Sequence, residues 1–184
     1  DSIEAEDMIV QIESKLPTLY YQVAMDLYKS KKLDEAIEKF VETIEVANKY
    51  SDQSTSIKAS KVVPQLYYMR AGNKKGDDDI EGALEDYNKA IELNPEYDKA
   101  YYMKSLVCKK LGDEAGFIES TRKAIEVAGK RNNETVLDKA KESGNTYFLM
   151  KGDEAKSAEK YTEAKKYLDL AIEFDNESPL AYYL

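Results

Sequence analysis

Histidine and tryptophan are absent from this 184-residue chain, cysteine occurs once, and proline only four times. Without histidine there is no Ser-His-Asp or Cys-His pair, and Cys108 alone supports neither a Cys/His zinc site nor an intramolecular disulfide. Most familiar catalytic constellations are thereby excluded, and no catalytic, metal or cofactor-binding residue is expected. Long apolar runs are missing too. Stretches such as Met8 to Val10 and Tyr147 to Met150 fall far short of the roughly 18 to 20 residues that a membrane-spanning helix needs, so no membrane insertion is expected. A basic surplus is also lacking: 27 Lys and Arg stand against 36 Asp and Glu, a formal charge of -9. Such a surface repels phosphate backbones and anionic membranes, and the clusters Lys29, Lys31, Lys32 and Lys109, Lys110 are short, so no nucleic-acid partner is expected. The chain opens at Asp1 rather than Met. An address signal removed in processing is therefore left open, and the reading is of a soluble protein, cytoplasmic or exported to a bacterial periplasm or surface.

What is present is tyrosine, 15 in all, set in doublets at Tyr20-Tyr21, Tyr67-Tyr68, Tyr101-Tyr102 and Tyr182-Tyr183. Placing residue 67 over residue 101 superposes Tyr67-Tyr68-Met69-Arg70 on Tyr101-Tyr102-Met103-Lys104 and Ala90-Ile91-Glu92 on Ala124-Ile125-Glu126, an offset of 34. Within Pro64 to Pro95 the series Tyr67, Ala71, Ala83, Tyr87, Ala90, Pro95 gives an aromatic, a small residue one turn on, then Ala, aromatic, Ala and Pro. Tyr20, Ala24, Leu27, Ala36 and Phe40 form an earlier copy. Tyr101, Ser105, Cys108, Gly112 and Ala124 form a later one. In period and pattern the chain resembles the tetratricopeptide repeat (TPR) family over roughly residues 17 to 178. The resemblance implies an all-α fold, a right-handed α-solenoid of helix-turn-helix hairpins.

A second offset, 81 residues without a gap, lays Tyr20-Tyr21 on Tyr101-Tyr102, Ile44-Glu45-Val46-Ala47 on Ile125-Glu126-Val127-Ala128, and Ala90-Ile91-Glu92 on Ala171-Ile172-Glu173. The expected organisation is a duplicated pair of hairpins: a capping helix over 1-16, hairpins over 17-63, 64-97, 98-131 and 132-178, and the start of a further helix over 179-184. The spacing of Leu19, Tyr20, Val23, Ala24, Leu27, Tyr28 and of Leu33, Ala36, Ile37, Phe40, Ile44, Ala47 predicts amphipathic helices with those residues inward. Pro17, Pro64, Pro95 and Pro179 are expected at helix starts or between helices, none in a helix interior. Polar, serine-rich Tyr50 to Ser60 reads as an inserted linker. Its counterpart, Arg131 to Lys141, turns at Asn132-Asn133 before a helix resumes. Two registers stay open after that: Phe148 and Gly152 in the places of Tyr67 and Ala71, or a small-residue turn at Gly144 followed by Tyr147.

Adjacent helical residues lie about 100° apart, so the two rings of a doublet face different neighbours. The first ring shares its face with the small residues that admit the partner helix, and is expected in the core. The second shares a face with other residues: Tyr21 with Met25 and Lys29, Tyr68 with Gly72 and Lys75, Tyr102 with Leu106 and Lys109. The resemblance implies that this face lines a concave groove for extended peptides. The ligand-groove candidates are Tyr21, Met25, Lys29, Tyr68, Lys75, Tyr102, Leu106 and Lys109, although inherited packing explains half-buried tyrosine equally well. Met25, Gly72 and Leu106 stand where chaperone-binding relatives carry polar clamp residues, which argues against chaperone tails as ligands. Asp77-Asp78-Asp79-Ile80-Glu81-Gly82 departs from a calcium loop at its later ligands and reads better as an acidic helix start. The sequons at Asn133 and Asn176 are chance-level motifs. The leading expectation is a non-enzymatic scaffold that binds a protein or peptide segment. The alternatives are a glycan or small-ligand surface of an exported bacterial protein, and a helical spacer without a ligand.

Overall fold

The computed structural model describes residues 2–176, so the expected helix over 179-184, with Pro179 and the last tyrosine doublet, lies outside the described residues. Those residues form eight α-helices and no strand. They fall into two compact units divided after Pro95.

Unit 1 holds α1 (Ser2–Lys29), α2 (Leu33–Lys49), α3 (Gln53–Gly76) and α4 (Ile80–Leu93), each packed on the next. Turns of three residues force neighbouring helices antiparallel, and a residue with positive φ closes each turn: Lys31 (60°), Ser51 (58°) and Asp78 (66°). Asp52 and Asp79 start α3 and α4 by accepting the backbone N–H of Thr55 and Gly82, both at 3.0 Å. The acidic run at 77–79 is therefore a helix start, with Asp79 spent on the cap. Ala24, Leu33, Ala36, Ile37, Phe40, Ala59, Val63 and Leu66 make the core, and Tyr21, Met25 and Tyr67 lean against it.

Unit 2 holds α5 (Asp98–Leu111), α6 (Glu114–Lys130), α7 (Glu134–Ser157) and α8 (Tyr161–Phe174), again packed in chain order. Positive-φ residues close its turns at Gly112, Asn132 and Glu159, each 81 positions after its counterpart in unit 1. The bounds of α6, α7 and α8 likewise follow those of α2, α3 and α4 by 81. Buried Asp98 accepts Asn133 Nδ2 at 2.7 Å, and Arg131 donates to the Glu96 carbonyl at 2.6 Å, which ties the start of α5 to the α6–α7 turn. Asn133 also caps α7, its Oδ1 accepting the Val136 N–H, while its amide nitrogen is already engaged by Asp98. The core is aromatic: Phe148 stacks on Tyr167 and Phe174 at 5.9 and 5.8 Å and lies 6.0 Å from Phe117.

Several expectations need correction. Pro17 and Pro64 are buried inside α1 and α3 rather than at helix starts. Each removes one N–H bond, and burial of the ring against neighbouring helices offsets that loss. Residues 2–16 are not a separate cap but the first half of α1. The serine-rich linker is helical from Gln53, because Thr55 and Ala59 on one side of it are buried. Leu19 and Val23, expected inside, are exposed. Gly144 is no turn. It lies within α7, where an added Cβ would stand 2.5 Å from the Phe174 ring, while a Cβ on Gly152 would stand 2.8 Å from Leu168. Of the two registers, the turn at Gly144 is therefore not the one the structure has.

Candidate functional site

The three tyrosine doublets among the described residues lie on α1, α3 and α5, the first helices of hairpins, and both rings of each are half-buried. The expected division into a core ring and a groove ring does not hold. In unit 1 the first ring is capped by a cation: Lys39 Nζ lies 5.2 Å from the centre of Tyr20 and Arg70 Cζ 5.1 Å from that of Tyr67. The second leans edge-on into a buried ring of the following helix, Tyr21 on Phe40 at 5.6 Å and Tyr68 on Tyr87 at 5.7 Å. The 100° step between neighbours is real, but both directions are part-covered, one by a long charged side chain and one by a ring.

In unit 1, Met25 packs half-buried against the core, Lys29 stands exposed 3.6 Å from Asp26, and Lys75 is half-buried in the last turn of α3. Tyr21 and Tyr68 keep part of their surface in solvent. In unit 2, Tyr102 and Leu106 are half-buried on α5. Burial, aided by the negative charge of Glu142, raises the phenol pKa of Tyr102 above its ordinary value.

Lys109 does something the sequence reading did not anticipate. Its Nζ crosses from α5 to lie 5.1 Å from the centre of the Tyr147 ring on α7 and 6.0 Å from that of Phe117. Lys151, one turn beyond Tyr147, lies 5.9 Å from the same ring and 6.0 Å from Tyr167. Tyr147 is half-buried, its ring set edge-on against Phe117 at 4.8 Å and Phe148 at 5.0 Å. Neither Lys109 nor Lys151 forms an ion pair with a described residue. Two ammonium groups thus converge on one part-exposed ring with no carboxylate of a described residue in ion-pair contact, although Glu154 and Glu163 line the same cleft as Lys151. The aromatic faces hold them in place and leave their N–H donors free for an incoming anion. Tyr102, Leu106, Lys109, Tyr147 and Lys151 make this the candidate site of unit 2.

Tyr147 and Lys151 carried a signal that the open register hid. An aromatic pair with a basic residue three positions after its first or second ring occurs at Tyr67 to Arg70, at Tyr101 to Lys104 and again at Phe148 to Lys151. Among the described residues no group of three or more His, Cys, Asp or Glu is placed to hold a metal, and no helix is long and apolar enough to cross a membrane.

A family model described as TPR repeat matches residues 78–112, and one described as tetratricopeptide repeat matches 98–131 and 146–178. A TPR repeat-containing protein of Methanocaldococcus jannaschii is 30% identical over 174 residues, 92% of this chain, and the chain spans 27% of that relative's length. The solved C-terminal part of a TPR repeat-containing protein from Cytophaga hutchinsonii is 14% identical, with a TM-score of 0.44 and coverage of 95% of this chain and 92% of that one. YrrB, described as a TPR protein with an unusual peptide-binding site, is 19% identical with a TM-score of 0.38, covering 89% of each chain. With its antiparallel helical hairpins, its repeat matches and the Methanocaldococcus jannaschii relative, the chain belongs to the tetratricopeptide-repeat family, whose repeats generally serve as protein–protein interaction modules and are typically non-enzymatic.

Proposed function

We propose that each unit offers a segment of a partner protein the first helices of its own hairpins, and that the α5–α7 face of unit 2 recognises an acidic position in such a segment. The observation that carries this reading is the pair of unpaired lysines, Lys109 and Lys151, on the half-buried Tyr147 ring. Tyr102 and Leu106 supply apolar surface on the same helix as Lys109, suited to the side chain flanking the acid. Anchors of this kind, an aromatic ring beside a cation, are the usual carriers of interface energy. In unit 1, Tyr21, Met25, Lys29, Tyr68 and Lys75 offer the corresponding set on α1 and α3.

A peptide array scored for acidic and aromatic content, followed by calorimetry with the best peptide, tests the reading. Lys109→Gln with Lys151→Gln is expected to weaken that peptide at least tenfold, and added salt to weaken the wild-type complex further. Binding that is indifferent to both lysines and to salt, or capture of neutral glycans in place of any peptide, would overturn the assignment.

A further inference from the structure

Apolar residues of α1, among them Leu19 and Val23 that the spacing places inward, are left in solvent: Met8 is 62% exposed, Ile12 54%, Leu19 52% and Val23 49%. They recur every three or four residues apart from the half-buried Leu16 between them, and so form one stripe. Terminal repeats of helical arrays ordinarily carry a polar outer face.

Helix α3 shares the tyrosine doublet and internal proline of α1, and its corresponding stripe is covered. Tyr20-Tyr21 and Ala24 of α1 correspond to Tyr67-Tyr68 and Ala71 of α3, 47 residues on, and at that offset buried Pro17 falls on buried Pro64. Met8, Ile12, Leu16 and Leu19 then fall on Thr55, Ala59, Val63 and Leu66, all buried. Ala59, Val63 and Leu66 share one core with Ile37 and Phe40 of α2. Val23 falls on Arg70, which donates to Asp34 of α2 at 2.6 Å as well as to Asp86 of α4. In α3 this face is therefore the seat of α2, the helix before it.

We propose that the Met8-Ile12-Leu19-Val23 face of α1 docks the second helix of a further helical hairpin, an amphipathic helix seated as α2 is seated on α3. The chemistry of that helix follows from the differences between the two stripes. Ile12 and Leu16 are larger than Ala59 and Val63, so smaller side chains are required opposite them than Ile37 and Phe40. Val23 replaces a cation, so an apolar residue is required where α2 carries Asp34. The inference stands independently of peptide binding at the α5–α7 face.

The test extends the chain from Glu6, in place of residues 1–5. Residues 30–52, with Asp34→Val in the copy, are fused ahead of Glu6, the position that corresponds to Gln53, and a second extension adds Phe40→Ala in the copy. Hydrogen exchange of residues 6–16 is compared in the extended and unextended chains, with sedimentation of both. The expected result is a monomer whose amides at 6–16 gain about tenfold or more protection in at least one extension, the gain being lost on Ile12→Asp. Protection in neither extension, or protection that survives Ile12→Asp, overturns the proposal. So does an unextended chain that dimerises through this stripe and becomes monomeric on Ile12→Asp, since a second copy would then be the occupant.

Discussion

Arg70 of α3 grips Asp86 of α4 through two parallel hydrogen bonds, Nε to Oδ2 and Nη2 to Oδ1, each of 2.7 Å. The same guanidinium reaches Asp34 of α2 at 2.6 Å, and Lys74 Nζ adds a contact to Asp86 at 3.1 Å, so one cation ties three helices of unit 1 together. Asp86 is buried. Its partners compensate for its lost hydration, and removing one of them leaves an uncompensated charge.

Arg70→Ala is accordingly expected to destabilise unit 1 by roughly 3 to 5 kcal/mol, read by urea unfolding. Burial alone would raise the carboxyl pKa of Asp86, but hydrogen bonds from Arg70 and Lys74 and their charges outweigh it and hold it below the ordinary carboxylate range. A carboxylate whose folded pKa is depressed adds stability that is full above its unfolded pKa and is lost as pH falls through the folded one. Acid should therefore weaken the wild type below about pH 4. In Asp86→Asn that part of the pH dependence should vanish, and an unchanged acid-unfolding profile would show that the pair contributes nothing.

Tyr68 and Tyr87 meet edge-on at 5.7 Å, which changes what truncating a doublet should do. Tyr67→Ala and Tyr68→Ala are expected to lower the melting temperature comparably, since both rings are half-buried. A double-mutant cycle between positions 68 and 87 should return about 0.5 to 1.5 kcal/mol of coupling. Coupling near zero would place the Tyr68 ring outside the core.

Glycine within a helix ordinarily costs about 1 kcal/mol relative to alanine. Gly72, with nothing within 4 Å of an added Cβ, should follow that rule, and Gly72→Ala should stabilise unit 1. Gly144→Ala should do the opposite in unit 2, by about 1 to 3 kcal/mol. Its Cβ would press on the Phe174 ring, which is buried and stacked on Phe148. Chemical denaturation of both variants checks the contrast in sign.

Cys108 is buried, and burial, reinforced by the negative charge of Asp113, pushes its thiol pKa up. Thiolate is the reactive form. Labelling by a thiol reagent at neutral pH should be orders of magnitude slower than for an unfolded control and should rise sharply through the unfolding transition. Fast labelling of the native protein would mean that α5 is rotated relative to α6.

How much of this was legible differs from residue to residue. Ala24, Ala36, Ile37, Phe40, Ala83, Tyr87, Ala90 and Ala124 could be read as core from spacing and repetition alone, because small residues recur wherever two helices approach. Asp79 could be read as a helix start, because a short acceptor before an apolar-periodic run has one local use. The absence of histidine and the lone cysteine likewise bounded the chemistry before any coordinates. Local energetics sufficed for all of these.

The positions of Pro17 and Pro64, the helical state of residues 53–60, the close approach at Gly144 and the meeting of Lys109 with Tyr147 were decided only by tertiary structure. In each case a local preference loses to a partner far away in the chain. A proline ring or a serine-rich turn of helix becomes favourable once Ala59 and Val63 have a neighbouring helix to be buried against, and that neighbour is not encoded in the same few residues. The cation over Tyr147 belongs to a different helix from the ring. Sequence can supply each member of such a pair, but only packing brings them within 5.1 Å.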